Sequence, residues 1–111
     1  MNNVHLIGVL VGDPVFFPAK GDTKQDCLIL KLKTTKAATT LSSGKVIPEK
    51  STLHRVVAFG EKGRDLNGVL KHNTLVSVLG ELNYSSRQDE FGNTTNSTQI
   101  LLRSCETLAQ F

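Results

Sequence analysis

Apolar residues along this chain recur at every second position or in short unbroken runs, the spacings of strands rather than of long helices. The run VHLIGVLV over 4–11 is closed by the turn sequence Gly12-Asp13-Pro14. CLILKLKTT over 27–35 alternates in its second half, with Ile29, Lys31 and Lys33 opposed to Leu28, Leu30 and Leu32. Thr, Ser, Gly44 and Pro48 crowd residues 36–49, which read as a long loop or a frayed hairpin. A third strand follows over roughly 52–59. Residues 61–73 predict one helix, because Leu66, Val69 and Leu70 share a face; Gly63 and Gly68 leave it dependent on packing. TLVSVLGELNYSSR over 74–87 is a long strand in which Gly80 predicts a bulge or bend, and Thr94 to Leu108 returns as another after the turn QDEFGN. Five strands with one helix between the third and fourth, in a single domain over 1–111, predict an all-β OB-fold barrel.

The third strand carries a mixed face. Leu53, Arg55, Val57 and Phe59 lie on one side and His54, Val56 and Ala58 on the other. A core face should exclude Arg, and a solvated face has no need of Phe.

Charge is unevenly placed. The chain is at +3 overall, but residues 31–55 hold Lys31, Lys33, Lys36, Lys45, Lys50 and Arg55 against Glu49 alone, a net +5 that leaves −2 elsewhere. Positive charge gathered in one segment suits a polyanionic partner. The two cysteines, Cys27 and Cys105, form no CxxC or Cys/His cluster, and His5, His54 and His72 are isolated, so neither a metal nor another cofactor is expected. GxxxxGK, HExxH and GxSxG are all missing, and Asp89-Glu90 reads as a solvated turn, so no enzyme is expected. Met1-Asn2-Asn3 supplies no basic leader, and the first apolar run is too short to span a bilayer. These features predict a cytoplasmic protein with reduced thiols and no membrane partner.

MNNVHLIGVLVGDP resembles the opening strand of the bacterial single-stranded DNA-binding protein family, Met-Asn-x-Val-x-Leu-Ile-Gly-x-Leu-x-x-Asp-Pro. HRVVAFG resembles that family's His-Arg-Val-Val-x-Phe-Gly, and Leu70-Lys71-His72-Asn73 with VSVLGEL resembles its Leu-x-Lys-Gly stretch and Val-x-Val-x-Gly-x-Leu strand. The likeness covers nearly the whole chain. It implies sequence-independent binding of single-stranded DNA by a homo-oligomer, a tetramer favoured over a dimer, in replication, recombination or repair, with proteins of those processes as further candidate partners. RNA stays open as a ligand, because stacking and phosphate contacts do not read the sugar.

The mixed face then makes sense. Single-strand binders combine a basic track for phosphates with aromatic platforms for bases. Arg55 would meet phosphate or stack on a base, Phe59 would be a platform, and Leu53 and Val57 the apolar floor, while Val56 and Ala58 point into the barrel. The candidate contacts are Lys31, Lys33, Lys36, Lys45, Leu53, Arg55, Phe59, His72, Tyr84, Arg87 and Phe91. Phe16 and Phe17, in the first loop, are expected to serve packing. The first strand is apolar at every position of 4–10 but His5 and Gly8, which predicts burial on both faces. Asn3, Val4, His5, Leu6, Ile7 and His54 are the expected subunit contacts.

The chain also departs from the family pattern. Leu53 stands where a Trp commonly precedes His-Arg-Val-Val, AATTLSS over 37–43 holds none, and Tyr84-Ser85-Ser86-Arg87 replaces a stretch of basic residues and Trp. Glu61 stands where a Lys often follows Phe-Gly. The sequence stops at Phe111, where family members usually continue into a linker with an acidic tip. These departures point to a trimmed, mobile-element or specialised relative. They favour a second reading, an adaptor resembling the primosomal replication-restart proteins, with weak nucleic-acid binding.

Overall fold

The computed structural model describes residues 2–19 and 25–111, apart from the side chains of Ser85 and Arg87. The strands among them are β1 (Val4–Leu10), β2 (Val15–Phe17), β3 (Cys27–Lys36), β4 (Thr39–Thr40), β5 (Val46–Ile47), β6 (Lys50–Phe59), β7 (Thr74–Gln88) and β8 (Thr94–Gln110), with the helix α1 over Glu61–Leu66. β1 pairs with β7, β7 with β8, β8 with β6, β6 with β3 and β3 with β1, so five strands close into a barrel. All these ladders are antiparallel except β6–β8. The architecture is the expected OB-fold class.

Three short strands add to the expected set. β2 lies against the start of β3, on the edge that β1 takes further along. β4 and β5 make a small hairpin of their own, in the segment that composition alone reads as loop. Counting every strand, the helix therefore falls between the sixth and seventh rather than the third and fourth.

The core follows from alternation. Leu28, Leu30 and Leu32 of β3 are buried with Val56 and Ala58 of β6, Val76 and Val78 of β7, and Ile100 and Leu102 of β8. On β1, Leu10 joins them, and Val4 and Leu6 pack against the cluster. This corrects one expectation: Val4 and Leu6 cover the chain's own core, and only the alternate positions of β1 look outward.

Two glycines let the strands close up. A Cβ on Gly8 would run into the carbonyl oxygen of Lys33, and one on Gly80 into that of Leu101. At Gly80 the β7–β8 register also shifts, as the sequence predicts.

The helix is shorter than its hydrophobic spacing suggests. It stops at Leu66, Asn67 is extended, and Gly68 has a φ of 83°. Leu70 still reaches the core, whereas Val69 is left in solvent because the chain has already abandoned the helical path. Arg64 holds α1 down by donating to Asp26 at 2.6 Å, and Asp26 also accepts the Ala19 N–H at 2.7 Å. The Arg64 guanidinium, with the Ala19 N–H, keeps the Asp26 carboxyl below its ordinary range. No helix among the described residues is long and apolar enough to cross a membrane.

Candidate nucleic-acid interface

The outer face of β2, β3 and β6 is built in rows set by the strand register. Lys33 faces Leu53, Lys31 faces Arg55, and Ile29 lies between Val15 and Val57. The last row is Phe17, Cys27 and Phe59. Leu53, Arg55, Lys31 and Lys33 are exposed, while Val57 is buried between its ladder partners Ile29 and Leu101. The mixed face thus has a covered apolar floor with cations at one end and aromatic rings at the other. Burial raises the pKa of the Cys27 thiol, against the opposing pull of the Arg55 charge.

Arg55 stands between two hollows. One of about 170 Å³ is lined by Leu53, His54, Arg55, Leu82, Thr98, Gln99 and Ile100, and so bridges β6 to the β7–β8 hairpin. The other, also about 170 Å³, is lined by Ile29, Lys31, Leu53, His54 and Arg55. Tyr84 lies one step along β7 from Leu82 on the same strand face, opposite Thr98, and is 72% exposed. Its ring stands in solvent.

Two arms extend from this region. Beyond the barrel, β3 and β6 run on to the Lys36–Lys50 pair, and the β4–β5 hairpin carries Lys45 at its turn. All three lysines are exposed. The β7–β8 hairpin ends at Phe91, 82% exposed, on a turn in which Asp89 Oδ1 accepts the N–H groups of Phe91 and Asn93. Arg87 faces Thr95 on this arm, and its side chain lies outside the described ones.

Other candidates are placed elsewhere. His72 is not on the face. Its Nδ1 accepts the Gly12 N–H at 2.7 Å and its own N–H donates to Asp13 Oδ1 at 2.8 Å, so it fastens the β1–β2 connection to the start of β7. His54 is half-buried, with Nε2 hydrogen-bonded to Thr34 Oγ1 at 2.9 Å within its own ribbon. It borders both hollows rather than the outer side of β1. Asn3 accepts from Arg103. His5 and Ile7 do point outward, with His5 Nε2 hydrogen-bonded to Ser77 Oγ at 2.7 Å and Ile7 55% exposed.

Phe17, expected to serve packing with Phe16, is placed otherwise. Phe16 packs against the core as expected, but its neighbour is 50% exposed and shares a row with Phe59, 43% exposed. The missing signal was the short β2 strand: once Val15–Phe17 is extended, alternation sends Phe16 and Phe17 to opposite sides.

Among the described residues, no three His, Cys, Asp or Glu side chains gather in a way that could hold a metal. The model of the single-strand binding protein family matches residues 1–108. The chain belongs to that family. Among solved structures, a deletion mutant of the single-stranded DNA binding protein from Thermus aquaticus is similar at a TM-score of 0.81 and 26% identity, covering 98% of this chain. The match takes in 51% of that protein, so the present chain spans about half its length. A Plasmodium falciparum SSB in complex with ssDNA shares the fold at a TM-score of 0.83 and 19% identity, over 98% of this chain and 96% of the other. No curated protein matches the sequence.

Proposed function

We propose that this single-strand binding protein holds single-stranded DNA, without regard to base sequence, across the outer face of β2, β3 and β6. The observation that carries this reading is Arg55, which lines both hollows, with Lys31 across from it in one of them and exposed rings at Phe59 and Tyr84. Phosphates meet the cations, and bases lie on the rings and over the apolar floor. Lys36, Lys45 and Phe91 extend the track along the two arms. A second copy pairs against the outward positions of β1, where Ile7 and Leu79 expose apolar surface beside His5. A tetramer is favoured over a dimer. The protein coats exposed strands in replication, recombination or repair.

Titration with oligo(dT) at two salt concentrations tests this reading. Binding should be tight at low salt and weaken at high salt with the negative slope of released counterions. Binding that is absent at low salt, in protein that is folded, would instead favour the adaptor reading.

A further inference from the structure

The row Phe17, Cys27, Phe59 has a shape of its own. Two aromatic residues stand on the outer strands of a three-strand ribbon, and the residue between them is small. Adjacent strands lie about 4.8 Å apart, so the backbones carrying the rings are separated by roughly 10 Å. A flat group in contact on both faces needs about 7–8 Å between rings. Two Phe side chains leaning over Cys27 can span that difference. Both rings are half in solvent, while Cys27 beneath them is only partly exposed.

We propose that Phe17 and Phe59 form a two-sided slot, floored by Cys27, that takes one unpaired nucleobase. The inference rests on the reading of this face as the strand-binding surface and adds a residue and a geometry to it. The cationic row supports that occupant. Lys31 lies four residues along β3 from Cys27, roughly 13 Å away, with the apolar row of Val15, Ile29 and Val57 between. A base held in the slot therefore lies along a path that leads to Lys31 and Arg55. A base paired in a duplex has both faces stacked and cannot enter, so the slot selects single strands.

Two measurements test the slot. In the first, Phe17→Leu keeps an apolar side chain but removes the ring. It should weaken oligo(dT) binding about 5- to 150-fold, the range of one stacked base, while Phe17→Tyr stays within about twofold of the native protein. In the second, native protein is treated with N-ethylmaleimide at mildly alkaline pH, and labelling at Cys27 and Cys105 is mapped by peptide mass. Saturating oligo(dT) should slow labelling of Cys27 at least tenfold and leave Cys105 unchanged. If native protein binds oligo(dT) but Phe17→Leu binds equally well, or Cys27 labels at its free rate, the slot is overturned and the wider reading stands. If native protein does not bind at all, both fall together.

Discussion

Lys31 and Arg55 stand directly across from one another on β3 and β6, two like charges in one cross-strand pair. Among the described residues no carboxylate forms an ion pair with either. Like charges so placed destabilise a sheet, and a phosphate bound there, as proposed, would offset that cost. The same ribbon repeats the arrangement at Lys36 and Lys50. If these positions bind phosphate as proposed, function and stability pull in opposite directions there.

Arg55→Ala separates the two. The slope of log affinity against log salt should flatten by about 0.7 if one phosphate contact is lost. Fold stability should hold or rise by about 0.2–1 kcal/mol as the like-charge pair is relieved. An unchanged slope in folded protein removes Arg55 from the phosphate track. Affinity lost equally at every salt concentration would instead mark it as a stacking group.

Tyr84 reports on its own role, because it is the only tyrosine and the chain has no Trp. Saturating oligo(dT) should quench its emission. Tyr84→Ala should weaken binding by about 1–2 kcal/mol with little loss of thermal stability, since the ring is already in solvent. Constant emission alongside full binding in an independent assay excludes it as a platform.

Ile7→Asp places a charge at the proposed contact between copies. Light scattering should show the native protein well above the 12.1 kDa of one chain and the variant shifted toward it. A native mass of one chain at micromolar concentration sinks the oligomer.

Gly80→Ala tests the barrel's closure rather than its surface. The added methyl meets the Leu101 carbonyl and the Ile100 side chain. Crowding of this kind costs typically about 1–3 kcal/mol, which a urea melt would register as a lower midpoint. An unaltered midpoint would mean that β7 and β8 can part there freely.

The Asp26–Arg64 bridge sets a pH dependence. Because the folded carboxyl sits below its ordinary range, its contribution is present above the unfolded value and lost as pH falls through the folded one. Asp26→Asn should therefore lower Tm at neutral pH, and the gap to the native protein should close in strong acid. A gap that persists at low pH would show that the bridge's charge is not what anchors α1.

Much of this was legible in the sequence because strand alternation is a local signal. Val56 and Ala58 went inward, Arg55 and Phe59 outward, and Gly80 fell at a register shift, all readable from neighbours two residues away. What the pattern could not show depends on distant partners. β2 has only three residues and exists because β3 offers it an edge, so Phe17 could not be told from Phe16. Val4 and Leu6 read as double-sided burial because hydrophobicity alone does not say which alternate residues find a core. His72 sat in a family-like stretch, yet its ring is engaged by Gly12, sixty residues earlier.

The ladders of the barrel are very unequal. β7 and β8 pair from Thr74–Gln110 to Gln88–Thr94 and are joined by residues 89–93, and β3 and β6 pair from Cys27–Phe59 to Lys36–Lys50 and are joined by residues 37–49. The barrel closes through β1–β3 at only Val9–Lys33 and Leu10–Leu32, and through β6–β8 at only Val56–Ile100 and Val57–Leu101. Contacts near in sequence form before those that must close long loops. The two ribbons should therefore zip up from their connected ends first, and the β6–β8 seam, whose partners stand 44 residues apart, should form after them. In a pulse-labelling exchange experiment on refolding chains, amides of the two ribbons away from the seams would become protected ahead of those at Val57 and Leu101. The floor of the strand-binding face would then be among the last parts of the molecule to take shape.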